Sequence, residues 1–283
     1  MKTEVDMHLH SNYSDGSKSP AEIVLDAQKK GMKAICLTDH DTVDGLPEFI
    51  CSAKKINIEA IPGIEISCRD SIHVLGYGID FFQTEKINRF FVSSRIAKQK
   101  DFLLVLKRYR DAGVMDVDAE EIRRTIGFVG QAGTLHVAEY RRRVLNVPFE
   151  QIKKEVCKGG ICRSMCDDCN YPTTKEAIDF IHELGGVAIL AHPANTFFHK
   201  KYSFKKLHIF LKEVYRMKSE KLDGIEVYHS KHSFLERSAL SAVAKMMNFL
   251  ATGGSDSHGC HKNIPIGNAG IDHHSFVEIK NKF

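Results

Sequence analysis

The chain has no tryptophan, and that absence by itself excludes no class of function. Other absences say more. No apolar stretch approaches the roughly eighteen residues that a membrane span needs. The N-terminus lacks an apolar leader, because Met1-Lys2-Thr3-Glu4-Val5-Asp6 turns charged at once. The expectation is a cytoplasmic protein whose 8 cysteines stay reduced. A strong charge imbalance is also missing: 40 Lys and Arg face 36 Asp and Glu, for a net charge of +4. That balance suits an anionic substrate. It does not describe a general nucleic-acid binder, and neither duplex nucleic acid nor a membrane is an expected partner. A hydrophobic share of 43% over 283 residues allows one large α/β barrel, alone or with an insert.

What is present is concentrated in the opening segment, Asp6-Met7-His8-Leu9-His10-Ser11-Asn12-Tyr13-Ser14-Asp15-Gly16. Val5, Met7 and Leu9 alternate as in a strand, which puts His8 and His10 on one face. Asp15 follows just before a glycine turn. Side chains at the C-terminal ends of strands are where α/β proteins hold ligands. Two imidazoles and a carboxylate aimed at one point suggest a metal site.

Matching pieces recur at the edges of other apolar runs. Thr38-Asp39-His40-Asp41 follows Ala34-Ile35-Cys36-Leu37, Glu65 sits in Ile61-Pro62-Gly63-Ile64-Glu65-Ile66-Ser67, and His73 opens His73-Val74-Leu75-Gly76-Tyr77. His192 closes Val187-Ala188-Ile189-Leu190-Ala191-His192, and Asp256 and His258 close Leu250-Ala251-Thr252-Gly253-Gly254-Ser255-Asp256-Ser257-His258. One histidine ending a strand is usually a surface or core residue. The same device at successive strand ends is poorly explained by coincidence.

This constellation resembles the PHP (polymerase and histidinol phosphatase) family of metal-dependent phosphoesterases, over residues 1–80 and 172–270. The resemblance implies an α/β fold: a distorted seven-stranded (β/α) barrel with a helical insert over its mouth and three divalent ions there. Carried over, His8, His10, Glu65 and Asp256 would hold one ion. Asp15, His40 and His258 would hold a second, and Glu65, His73 and His192 a third, with Glu65 bridging. Asp15 stands where other members carry histidine, as in the branch acting on small nucleotides such as nucleoside 3′,5′-bisphosphates. Histidinol-phosphate phosphatase, or a 5′–3′ exonuclease on short oligonucleotides, is the alternative.

Mixed imidazole and carboxylate ligands suit Mn²⁺, Zn²⁺ or Fe²⁺. Such ions lower the pKa of a shared water and clamp phosphate oxygens as charge develops. The expected catalytic unit is a metal-bound hydroxide held by Glu65, Asp15 and Asp256. Ser14, Ser67 and Ser255 then read as supporting or turn residues.

Ser19-Pro20-Ala21-Glu22 and Thr173-Thr174-Lys175-Glu176 are capping boxes, each opening a helix that leads into an apolar run. That rhythm predicts a parallel sheet. It breaks between about residues 84 and 171, where only helical patterns occur: Glu85–Ala112, Asp118–Ile122, Leu135–Val144 and Phe149–Val156. The division expected is therefore a discontinuous barrel, 1–83 with 172–283, and a helical insert at 84–171. The insert is rich in Arg and Lys. The family resemblance singles out Arg95 as the contact for a second substrate phosphate. Thr134 replaces an arginine found in relatives' Gly-Arg-Pro-His-Ile-Ala-like stretch. His229 and His232, near the end of another apolar run, are candidate substrate contacts. His136, His182, His199, His208, His261, His273 and His274 are assigned to surface or structure. Cys157, Cys162, Cys166 and Cys169 lack a standard zinc or cluster spacing and read first as reduced thiols, with a bound Zn²⁺ or cluster, or redox pairing, as the alternatives. A binding module without catalysis leaves the filled ligand positions unexplained, and so does a structural zinc protein built on the cysteines.

Overall fold

The apolar runs become strands. A computed structural model describes residues 3–156, 160–162, 170–198 and 204–283. Seven strands form one sheet in chain order: β1 Val5–Leu9, β2 Ala34–Leu37, β3 Glu59–Ser67, β4 His73–Tyr77, β5 Val187–Leu190, β6 Gly224–His229 and β7 Leu250–Gly254. Neighbours are parallel except at β4, which runs antiparallel to both β3 and β5. The sheet curls until β7 meets β1. There Asp256 N donates to His8 O at 2.9 Å and His10 N donates to Ser257 O at 3.0 Å. Gly254 permits that seam, since a Cβ there would lie 2.3 Å from His8 Cβ.

Helices wrap the outside. Helix α1, Pro20–Lys29, opens with the Ser19–Glu22 capping box. Helix α2 is Leu46–Lys55. After β4 come α3 Thr84–Asp111, α4 Ala119–Ile126, α5 Thr134–Arg143 and α6 Phe149–Val156. Helix α7, Thr174–Glu183, carries the Thr173–Glu176 capping box, and α8 spans Phe204–Ser219. Helix α9, Phe234–Met247, is capped by Ser233 and Glu236, and α10 spans His273–Lys280. No described helix is long and apolar enough to cross a membrane.

Two separate apolar clusters hold these layers. One packs α1, α2, α7, α8 and α9 on the sheet through residues such as Ile23, Phe49, Ile181, Phe210 and Leu240. The other lies within the four inserted helices, with Phe102, Tyr109, Ile122, Val137 and Tyr140. The insert thus brings its own core. Its loops still grip the barrel. Val129 N and Gly130 N both donate to Asn12 O, at 2.7 and 3.2 Å. Arg142 reaches Cys260 O at 3.4 Å. These contacts are all to loops at the C-terminal ends of β1 and β7, so the insert stands beside the barrel mouth.

The antiparallel β4 departs from the purely parallel expectation. Only a short 3₁₀ turn, Arg69–Ser71, separates β3 from β4, which is too little chain for a crossover helix. Reversal explains why His73 opens its strand where other candidate residues close theirs. The start of an antiparallel strand lies at the same rim as the ends of its parallel neighbours. Glu65 pairs with Leu75, and Leu75 with Ile189, so these share one face. That face continues downward as Ile61, Tyr77 and Val187, an apolar floor under Glu65.

Candidate metal centre

Glu65 is the hub of the rim and is only 1% exposed. Its Oε2 lies 3.1 Å from His8 Nε2, 3.1 Å from His10 Nε2 and 3.3 Å from His40 Nε2. Its Oε1 lies 2.8 Å from His73 Nδ1 and 2.9 Å from His192 Nε2. One carboxylate from β3 therefore gathers imidazoles from the ends of β1, β2, β4 and β5. The two oxygens sort them into two groups, as a bridging ligand would.

Asp15 lies in the turn after β1. Its Oδ2 is 3.1 Å from His258 Nε2 and 4.0 Å from His40 Nε2, and its Oδ1 is 3.6 Å from His10 Nδ1. Asp256 Oδ1 lies 3.4 Å from His10 Nε2 and 3.8 Å from His8 Nε2. Ligand atoms of His10, Asp15, His40 and His258 all fall within 4.8 Å of one another. The same holds for His8, His10 and Asp256, and for His40, Glu65 and His73. All the ligand positions expected from the sequence thus face one another. His192 joins through Glu65, 2.9 Å from its Nε2. Asp256 and His192 have φ of 56° and 28°, a left-handed backbone uncommon for such residues. Strain of that kind, about 1–3 kcal/mol each, persists where a site imposes it.

A supporting layer was not legible as such in the sequence. His8 Nδ1 donates to Glu226 Oε1 at 2.9 Å, and Glu226 Oε2 accepts His192 N at 2.7 Å. This fixes the His8 tautomer and turns Nε2 toward Glu65, the arrangement typical of a metal-ligating histidine. Asp6 accepts Ser255 N and Gly267 N, both at 2.8 Å, tying β1 to the loop after β7. Asp39 accepts Ser11 Oγ and Ser14 Oγ, both at 2.6 Å, and so shapes the turn that presents Asp15. Ser67 Oγ accepts Lys98 Nζ at 3.3 Å. The signal for Glu226 was a lone carboxylate inside the apolar run Gly224-Ile225-Glu226-Val227.

The remaining expected positions fall as follows. Arg95 donates from Nε and Nη2 to Asp41 O, at 3.3 and 3.0 Å, and from Nη1 to Asn88 Oδ1 at 2.7 Å. Lys98 also pairs with Asp41, so α3 is clasped to the residue after His40. His229 is buried, with Nε2 3.4 Å from Asp256 Oδ2. His232 is buried too, donating Nδ1–H to Val227 O at 2.9 Å. Neither is a surface residue. His136 and His261, which the sequence left among surface or structural positions, are both buried beside the site. His261 donates Nδ1–H to Asp15 O at 2.9 Å. Cys162 is buried, its Sγ 3.5 Å from Thr134 O, and burial pushes its thiol up to about 11. Cys157, Cys166, Cys169 and His199 lie outside the described residues.

Electrostatically the site draws positive charge. Burial alone would raise the Glu65 carboxyl, but His40, His8 and His73 hold it well below the usual range. Asp15 and Asp256 behave alike, burial being outweighed by His258 and His40 for the first and by Lys262 and His258 for the second. Burial opposes a proton on His10, yet the close carboxylates of Asp256 and Glu65 push it up to about 9. Burial keeps His258 neutral, at about 4, and also lowers His40 and His192.

These residues fit divalent ions. Among the described residues, neither ring nitrogen of the buried His10 has a hydrogen-bond partner, although the carboxylates of Asp15, Glu65 and Asp256 surround the ring. A buried polar atom without a partner is costly, and a metal ion would satisfy the lone pairs that converge with the carboxylates.

A curled seven-stranded sheet with imidazoles and carboxylates gathered at one rim defines a metal-dependent hydrolase class. The PHP domain model matches residues 6–184, and the chain belongs to that family of metal-dependent phosphoesterases. It is 26% identical over 272 residues to the phosphoribosyl 1,2-cyclic phosphate 1,2-diphosphodiesterase of Eggerthella lenta, covering 92% of this chain and 96% of that protein. It is 29% identical to the 5′-3′ exoribonuclease of Haemophilus influenzae, covering 91% of each. To the 3′,5′-nucleoside bisphosphate phosphatase of Chromobacterium violaceum it is 24% identical, covering 90% of this chain and 87% of that protein. A solved Chromobacterium violaceum amidohydrolase shares the fold, with a TM-score of 0.84 at 21% identity over 99% of this chain and 96% of that one.

Proposed function

We propose that this phosphoesterase hydrolyses a phosphate monoester of a small nucleotide, with a nucleoside 3′,5′-bisphosphate as the type substrate. The observation that carries the reading is the single carboxylate Glu65 shared by five imidazoles, flanked by Asp15 and Asp256. On this reading three divalent ions, Mn²⁺, Zn²⁺ or Fe²⁺, are held by His8, His10, Asp15, His40, Glu65, His73, His192, Asp256 and His258. Such ions would supply an acidified water and Lewis acidity toward phosphate oxygens.

The chain's own residues do the rest. Asp15, Glu65 and Asp256 are ionised acceptors that orient the attacking water. Glu226 and Asp39 hold the ligand-bearing elements rigid, which lowers reorganisation during the reaction. Arg95 uses three of its five N–H groups on Asp41 and Asn88, leaving two for a second phosphate on the substrate. His229 and His232 line the β6 side, and Nε2 of His232 has no partner. The insert, residues 84–171, forms the cap that reads the substrate beyond its reacting phosphate. A cytoplasmic location suits such a substrate.

Three relatives are named for a phosphoribosyl cyclic phosphate, for RNA taken from its 5′ end and for a nucleoside bisphosphate. Each name describes a phosphate ester on or beside a ribose. The test is phosphate release from a panel: nucleoside 3′,5′-bisphosphates, nucleoside monophosphates, histidinol phosphate and short 5′-phosphorylated oligonucleotides. Highest kcat/KM on the bisphosphates supports the reading. Preference for histidinol phosphate, or turnover of oligonucleotides alone, overturns it.

A further inference from the structure

The loop after β7 doubles back across the rim and carries a lysine into it. Lys262 Nζ lies 3.3 Å from Asp256 Oδ1 and 3.2 Å from Oδ2. Its side chain is 28% exposed, so it is half-buried and still reachable. From the facing β6–α9 loop, Lys231 approaches Asp256 Oδ2 at 3.9 Å.

Asp256 divides its partners between its two oxygens. Oδ1 faces inward to His10 and His8, and to His258 Nδ1 at 3.4 Å. Oδ2 faces His229 Nε2 at 3.4 Å and Lys231, while Lys262 reaches both oxygens. Imidazoles already surround this carboxylate, so a buried ammonium serving only to balance it would duplicate them. An ammonium has three N–H donors. Asp256 takes at most two of them from Lys262, which leaves at least one for another acceptor.

We propose that Lys262 is a catalytic residue whose ammonium contacts a non-bridging oxygen of the phosphoryl group being hydrolysed. The inference rests on the phosphomonoesterase reading above. In that reaction a water oxygen bonds to phosphorus, the ester P–O bond breaks and the proton from water leaves with the alcohol. Lys262 neither gains nor loses a proton; it stabilises charge on the phosphoryl oxygens, with Asp256 Oδ2 fixing its position. Its role differs from that of Arg95, which would meet a phosphate that does not react.

The experiment uses the full-length metal-loaded protein, as wild type, Lys262→Gln and Lys262→Arg. Three quantities are measured: metal per chain, the affinity for inorganic phosphate by calorimetry, and kcat/KM on p-nitrophenyl phosphate. The Gln variant is expected to keep wild-type metal content and to lose about 10- to 100-fold in both phosphate affinity and kcat/KM. The Arg variant should recover most of both. Unchanged phosphate affinity in the Gln variant overturns the proposal, as does metal loss that accounts for the effect in both variants. If the Gln variant does not fold, the Arg variant decides: near-wild-type affinity and metal content support the proposal, and lost metal overturns it. A wild-type protein that releases phosphate from no ester would sink the phosphomonoesterase reading itself. Wild-type turnover with an unaffected Gln variant would sink only the role of Lys262.

Discussion

Glu65→Gln is the most informative single change. The amide matches the carboxylate in volume, so the apolar floor below it stays filled and the fold should survive. What changes is one buried negative charge facing His8, His10, His40, His73 and His192 at 2.8–3.3 Å. At about 4 Å and an effective dielectric of about 20, one unit charge pair is worth on the order of 4 kcal/mol. Even a single unit of ion charge left unbalanced corresponds to about three powers of ten in binding constant, and a divalent ion carries two. An amide NH₂ would also point a donor where a lone pair is needed. The expected result is a folded protein by circular dichroism, with at least one ion fewer per chain by elemental analysis and phosphate release reduced to background. A Glu65→Gln protein with near wild-type turnover and metal content would refute the bridging role.

Other outcomes follow from the same geometry. Glu226→Gln should cost about 10- to 100-fold in metal affinity or activity by freeing the His8 tautomer, and equal metal affinity in the two proteins would remove that role. Arg95→Ala should lower kcat/KM on a bisphosphate much more than on p-nitrophenyl phosphate, because remote binding energy is lost only where a second phosphate exists. Equal loss on both would make Arg95 a clasp on Asp41 and nothing more. Burial holds His232 at about 4, below its ordinary 6.5. The fold favours the neutral ring, so its contribution to stability is complete above pH 6.5 and falls by up to about 3 kcal/mol as pH drops toward 4. Melting curves across that range should be flatter for His232→Gln, and an unchanged acid limb would contradict this.

The barrel was legible because each strand is a short apolar run ended by a polar turn, and because Ser19, Thr173 and their partner glutamates announce helix starts. The four inserted helices were legible from their 3.6-residue pattern. The reversal of β4 was not, since periodicity carries no strand direction and only the short Arg69–Ser71 link could have hinted at it. Most candidate ligands stood out because they sit at the edge of an apolar run; Glu65, inside its run, stood out through the resemblance. Glu226 and Asp6 were hidden inside such runs, where a lone carboxylate has no spacing rule to mark it. Lys262, His136 and His261 were hidden because they come from loops and a helix. Their place beside Asp15 and Asp256 depends on how the chain returns to the rim, which local pattern does not encode.

The central claim, that the residues gathered on Glu65 hold ions on which phosphate hydrolysis depends, has a direct test. The protein is stripped with chelator, Mn²⁺ is titrated back, and bound metal per chain and phosphate release from a nucleoside 3′,5′-bisphosphate are followed on the same samples. Activity absent after stripping, and returning as occupancy rises beyond one ion per chain, is the predicted result. Full activity in the stripped protein, or less than one ion bound at saturation, would contradict the account.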